Sequence, residues 1–240
     1  YRNSIWHRVG YVNWGYEAIG RFQNWEQIAN YPIDNDRKGN RTVVPGDIMY
    51  KDQNNDGVIN YLDERPIGYR VDSTPTLNFG INLSASWKGF DLAMDWTGSG
   101  MTSWNQCYET ARPFQNDGNS PDEVLKDAWH LSDIWDANSP LIPGKYPMIR
   151  LNTDETSAYD KSSYWLHNVT YLKLRNLEVG YTFPKTWLNK TGISNLRLFV
   201  SGTNLLTLSN LSVMDPECAS DNGLDYPPMR VINIGVNLKF

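Results

Sequence analysis

Several separate runs of this chain alternate between apolar and polar residues, and a period of two marks them as β-strands with one apolar face. The last run is the clearest. From Val231 to Phe240, the residues Ile232, Ile234, Val236, Leu238 and Phe240 fall on one face and Asn233, Gly235, Asn237 and Lys239 on the other. The same rhythm runs from Leu77 to Lys88, where Leu77, Phe79, Ile81, Leu83, Ala85 and Trp87 alternate with polar or small residues. It resumes after Lys88-Gly89, with Phe90, Leu92, Met94 and Trp96 set against Asp91, Ala93, Asp95 and Thr97. A tight turn and a hairpin over 77–97 are therefore predicted. Tyr171–Phe183 is a further strand. Leu172 and Leu174 share one phase and Leu177, Val179, Tyr181 and Phe183 the other, a slip near Arg175-Asn176 that a β-bulge would produce. Asn195–Leu205 is the fifth, with Phe199 breaking the alternation of Leu196, Leu198 and Val200.

The connections between these runs alternate in length: tight at 88–89, very long over 98–164, medium over 184–194 and long over 209–229. Outer-membrane β-barrels are built this way, with short periplasmic turns and long extracellular loops. On that arrangement the C-terminus is periplasmic. Trp87, Phe90, Phe183 and Phe240 then gather at the short-turn end as an interfacial girdle, with Trp96 and Trp165 near the opposite rim. Periodicity alone leaves a soluble sandwich open, because an apolar face can meet lipid or a second sheet.

Composition narrows the choice. The 240 residues include 10 Trp and 14 Tyr, and the net charge is −5 with no basic stripe, which argues against a nucleic-acid partner. No apolar run approaches the ~18 residues of a spanning helix, whereas barrel strands, being half polar, leave only a weak hydropathy trace. The opening Tyr1-Arg2-Asn3 does not have the pattern of a signal peptide. Cys107 and Cys218 fit no metal spacing; both fall in predicted loops on one side, and their pairing stays open.

Three stretches carry a more specific likeness. The terminal Asn233, Gly235, Leu238 and Phe240 are similar to the signal by which outer-membrane barrels are recognised for assembly: polar, x, Gly, x, x, apolar, x, aromatic. The block from Pro45-Gly46-Asp47 through Tyr50, Asp52, Asn54 and Asp56-Gly57 to Ile59 and Asp63 resembles one found in SusC/RagA proteins just before a barrel hairpin. Tyr171–Pro184 and Leu196–Leu205 look like that family's penultimate strands. The resemblance runs from about Val9 to Phe240. It implies the C-terminal portion of a ~22-stranded TonB-dependent barrel. It also implies import of oligosaccharides or peptides, a SusD-like surface lipoprotein as partner, and coupling to the TonB complex through an N-terminal part that this chain lacks. The expected fold is all-β, with antiparallel transmembrane strands and long extracellular loops. A loop region at 1–76 precedes the hairpin 77–97; a long loop at 98–164 and the last three strands within 165–240 follow it.

Two loops suggest chemistry. Asp52–Asp63 has EF-hand spacing, with Asp52, Asn54, Asp56, Asn60 and Asp63 at loop positions 1, 3, 5, 9 and 12, the Val58 carbonyl at 7 and Gly57 at 6. A structural Ca²⁺ is one reading, although Asp at position 12 is short for a bidentate ligand. An Asx-rich turn held by its own hydrogen bonds is the other. In the long loop, Trp104, Asn105, Tyr108, Arg112, Trp129 and Trp135 could stack on sugars and bond their hydroxyls, or simply pack the loop; Pro121–Trp129 reads as a short helix. No nucleophile–base set, zinc spacing or phosphate loop is present. Asp91 and Asp95, about 13 Å apart along a strand, read as polar-face residues and not as a glycosidase pair. The alternative function is a soluble calcium-stabilised carbohydrate-binding β module.

Overall fold

A computed structural model describes residues 10–70, 74–151, 155–189, 192–217 and 222–240. The predictions that involve Tyr1-Arg2-Asn3, Val9 and Cys218 lie outside the described residues, and with them the question of a Cys107–Cys218 bridge. The strands, in chain order, are β1 (Val12–Gly15), β2 (Ala18–Arg21), β3 (Ile48–Tyr50), β4 (Arg65–Arg70), β5 (Leu77–Trp87) and β6 (Phe90–Asn105). They continue with β7 (His130–Leu131), β8 (Leu141–Ile142), β9 (Leu166–Thr182), β10 (Asn195–Ser209) and β11 (Val231–Lys239). Three short helices are α1 (Trp25–Ala29), α2 (Asp122–Lys126) and α3 (Lys185–Leu188). The chain divides into a loop unit, Tyr1–Thr74 with Ser103–Asn168 and Ala219–Leu224, and a sheet unit, Pro75–Thr102 with Val169–Cys218 and Asp225–Phe240.

The sheet unit is built on one five-stranded sheet, in the order β11-β10-β9-β6-β5. The hairpin forms as the alternation predicts. Trp87 pairs with Phe90 and the ladder runs to Leu77 with Gly100. Lys88 and Gly89 both take positive φ, at 49° and 89°, as a two-residue hairpin turn of the primed type demands. β10 lies against β11 from Asn195–Lys239 to Thr203–Val231 without a break.

The predicted phase slip in β9 is present. Arg175 Nε bonds Thr97 Oγ1 at 3.0 Å and Asn176 Nδ2 bonds Asp95 Oδ2 at 3.2 Å. Thr97 and Asp95, two apart in β6, share a face, so consecutive residues of β9 point the same way. Across from Arg175 the register of β10 shifts between Thr203 and Leu206, where Asn204 has a positive φ of 54°.

Three boundaries differ from the predicted ones. β6 continues to Asn105, so Trp104 and Asn105 stand in a strand and the long connection begins after them; the hydrophobic signal stops at Gly98 and Gly100, which have no side chain to mark a face. β9 starts at Leu166 and β10 runs on to Ser209. In consequence Trp96, paired with Ile81, sits mid-strand and not at a rim.

Phe199, off-phase in the sequence, lies opposite Gly235. A Cβ on Gly235 would come within 2.2 Å of the ring, so the missing side chain makes the room the ring fills. The Arg197 guanidinium covers the same ring at 5.1 Å from its centroid.

In the loop unit a core gathers Tyr16, Ile48, Tyr50, Ile59, Val124, Tyr146, Tyr159 and Trp165. Trp165, expected near a rim, is a centre of this core: its ring stacks on Tyr146 and Tyr159, and its Nε1 donates to Ala158 O at 2.8 Å. β1 pairs with β4, β2 with β3 and β7 with β8. The short helix predicted after Pro121 is α2, with Pro121 in the capping position. The buried Asn35 side chain is satisfied by backbone: its Nδ2 donates to Ile48 O at 3.0 Å and its Oδ1 accepts from Tyr50 N at 3.0 Å.

Candidate functional site

The apolar face of the sheet is open. Leu77, Phe79, Ile81 and Leu83 on β5, Leu198 and Val200 on β10, and Ile232, Ile234, Val236 and Leu238 on β11 are all exposed, Ile234 to 82%. Cross-strand partners such as Val200 with Ile234 and Leu198 with Val236 keep these side chains on one surface. At the short-turn end Trp87, Phe90 and Phe240 are exposed. Phe90 meets Tyr181 at 4.6 Å, Tyr181 meets Phe183 at 5.0 Å, and Phe183 meets Trp187 of α3 at 6.0 Å. The aromatics expected at this end do gather there, together with Tyr181 and Trp187. Trp187 was missed because it stands in a connection, where no alternation flags it. Lys88 lays its ammonium 4.8 Å from the Trp87 ring, a pairing of cation and indole that suits a membrane–water boundary.

The opposite face is polar. Arg197 bonds both Asp91 and Glu178, joining β10, β6 and β9. Asp91 and Asp95 thus serve as polar-face residues, as their spacing suggests.

In the acidic loop, Asp52, Asp56 and Asp63 each bring a carboxylate oxygen within 4.8 Å of the other two. The loop is also tied to itself. Asp52 accepts from the amides of Asn55 at 2.6 Å and Gly57 at 2.8 Å, and Asp63 from those of Gln53 at 2.8 Å and Asn60 at 2.9 Å. Asn54 and Asn60 point their amide nitrogens at Asp56 Oδ2, at 2.8 and 3.3 Å; a half-turn of each amide would present oxygens instead. Hydrogen bonds from Asn54, then from the Val58 amide, lower the Asp56 carboxyl below its ordinary pKa, so it is an anion at neutral pH. The Val58 carbonyl accepts from Asn60 Nδ2 at 3.1 Å. The donor set suits a hard cation and an Asx turn alike.

The six aromatic-loop candidates do not form one surface. Trp104 is buried and stacks on His167 at 5.7 Å, and Trp129 is buried with its ring filling the space beside Gly46 and its face covered by the Arg21 guanidinium at 5.4 Å. Both are packed within the loop unit and do not present an exposed platform as the sequence suggests. Asn105 is half-buried, and Arg112 lies 5.7 Å from the Tyr159 ring. Tyr108 and Trp135 are exposed, Trp135 to 90%. Sequence reasoning also missed Asp47, which is fully buried and ion-paired with Arg150. Burial outweighs Arg150 and the Val44 amide there and lifts the carboxyl to about 6. Inside the resembled Pro-Gly-Asp block only the motif, and no periodicity, pointed to it.

An antiparallel sheet with one exposed apolar face, aromatics at one end and a polar reverse side has the build of strands in a transmembrane β-barrel. No family model matches the chain. It is 30% identical over 243 residues to TonB-dependent receptor P3 of Formosa agariphila, across 93% of this chain and 22% of the relative. To TonB-dependent receptor SusC of Bacteroides thetaiotaomicron it is 24% identical over 252 residues, across 98% of this chain and 20% of the relative. The RagAB peptide importer in its open-open state superposes with a TM-score of 0.61 at 21% identity, covering 95% of this chain and 22% of that one. The chain is similar to one portion of the SusC/RagA-like TonB-dependent receptors, and it spans roughly a fifth of the length of these relatives.

Proposed function

We propose that this chain forms part of the wall of an outer-membrane transporter that imports oligosaccharides or peptides, driven by the TonB complex and covered by a SusD-like surface lipoprotein. The observation that carries the reading is the exposed apolar face, continuous from β10 to β11 and bounded by aromatics at one end. Left open to water, a contiguous apolar surface of this kind marks an interaction site or an aggregation liability. Against outer-membrane lipid it is the favourable arrangement, and a soluble carbohydrate-binding module would have to cover it. The aromatics at the short-turn end support a periplasmic C-terminus. There Asn233, Gly235, Leu238 and Phe240 serve as the assembly signal. The substrate class follows the family only as far as its breadth allows, glycan or peptide.

The test is made on the complete native polypeptide. It should sediment with outer membranes, require detergent for release and carry a SusD-like lipoprotein with it. Deleting its gene should abolish uptake of labelled oligosaccharides or peptides. A protein released by salt alone, with uptake intact after deletion, would sink the proposal.

The acidic loop holds a structural Ca²⁺ in the same reading. Asp52, Asp56 and Asp63 supply carboxylates, Val58 a carbonyl, and Asn54 and Asn60 rotated amides. By mass action a free ion at 100 times its Kd adds about 2.7 kcal/mol to stability. Millimolar Ca²⁺ should therefore raise the melting point of the intact protein, and Asp56→Asn should remove the rise. An unchanged melting point in the unaltered protein would leave the Asx turn as the whole explanation.

A further inference from the structure

We infer that the stretch Leu211–Glu217, which follows β10, is a strap folded back over the polar face of the sheet and pinned there by ion pairs, so that it narrows the passage which that face lines. The inference rests on the reading of the chain as a barrel wall.

Tyr171, Lys173 and Arg175 alternate along β9 and therefore share a face, and the bond from Arg175 Nε to Thr97 Oγ1 identifies it as the polar one. All three reach the strap. Lys173 is only 1% exposed, and its ammonium donates to Asp215 Oδ1 and Oδ2 at 3.0 and 2.9 Å and to Glu217 Oε2 at 2.9 Å. The Tyr171 hydroxyl donates to Glu217 Oε1 at 3.1 Å, and the Arg175 guanidinium pairs with the same carboxylate. Glu217 N bonds Asp215 Oδ1 at 3.0 Å, which fixes the two carboxylates relative to each other. At the base of the strap Asn210 and Thr170 exchange bonds, Thr170 N to Asn210 Oδ1 at 2.9 Å and Asn210 N to Thr170 O at 3.3 Å.

Two cations meet two carboxylates, so the cluster is balanced, and a buried ammonium is tolerable only with such partners. A strap held by apolar packing would expose its grease on leaving. Here Leu211 is buried at the base, but the outer end is held by charges and would release them to a face that is already polar, where water can solvate them. Beside it a cavity of about 430 Å³ remains, lined by Asn78, Thr97, Ser99, Tyr171, Arg175 and Glu217. The passage is thus constricted and not filled.

The full transporter in intact cells gives the test. V8 protease cleaves after Glu217 only when the strap lifts. Cleavage should be slow in the unaltered protein and about tenfold faster in Lys173→Met or Asp215→Asn, because it follows the population of the open form. Lys173→Arg, which keeps a cation between the two carboxylates, should stay protected, which a merely misfolded variant would not do. The released variants should also sensitise cells to a bulky hydrophilic glycopeptide antibiotic. Equal cleavage in all forms, or release without sensitisation, would overturn the strap while the protein still fractionates with the outer membrane. Loss of that fractionation in the unaltered protein would instead sink the transporter reading.

Discussion

Ile234, in the middle of β11, is 82% exposed, whereas Trp165 in the loop unit is 1% exposed and ringed by Tyr146, Tyr159 and Tyr164. Both are large apolar residues, yet they are stabilised in opposite ways. The loop unit turns a cluster of aromatic and aliphatic side chains inward, and the buried Asn35 and Asp47 beside them are tied to backbone or to a counter-ion. The sheet unit turns its most regular apolar residues outward and keeps Arg197, Asp91 and Glu178 together on the other face. The pattern of alternation is the same kind of signal in any sheet. What differs is the solvent each surface has been fitted to.

Substitutions can break that comparison. The largest effect is expected in the aromatic core, where Trp165→Ala should cost about 4 kcal/mol through the cavity and the lost bond to Ala158. Thermal unfolding of the intact transporter measures it.

Arg150→Met comes next, at about 3 kcal/mol, because it leaves the buried Asp47 without its cation. The pH dependence follows from Asp47. Burial raises its folded pKa to about 6, above the ~3.9 of an unfolded chain. Stability from this group is therefore full below about pH 4 and is lost as pH rises through 6. Without Arg150 the carboxyl moves higher still. The deficit of the variant should be greatest near pH 8 and shrink toward pH 5; a deficit that grows on acidification would contradict the assignment.

On the sheet, Val200→Arg should cost about 2 kcal/mol in lipid, while Ser201→Arg next to it, on the polar face, costs close to nothing. Refolding into lipid vesicles from urea compares the two. The smallest effect belongs to Gly235→Ala. Its new Cβ meets the Phe199 ring, and a loss of about 1 kcal/mol should be recovered by combining it with Phe199→Leu.

The strands were legible wherever alternation was strict. Val231–Phe240 and the Lys88-Gly89 hairpin form as the residues suggest, and the slip at Arg175-Asn176 is where the phase change put it. Strand ends were not legible, because Gly98 and Gly100 carry no side chain to report a face. The girdle was partly visible: Trp87 and Phe90 could be placed by phase, Trp187 could not. Aromatic residues in the long connection gave the weakest guidance. Trp104 and Trp129 have the composition of a sugar platform and the burial of a core, and only three-dimensional packing separates the two. The ion cluster on Lys173 was hidden because its carboxylates lie 42 and 44 residues further along the chain.

The central claim is that one face of the sheet meets lipid and the other meets water. Spin labels on single cysteines at 232, 234, 236 and 238, and at 233 and 237, in the complete transporter reconstituted in bilayers, test it most directly. The account predicts strict alternation, with even positions relaxed by lipid-soluble oxygen and odd positions by a water-soluble nickel complex. Accessibility to the nickel complex at the even positions equal to that at the odd ones would contradict it.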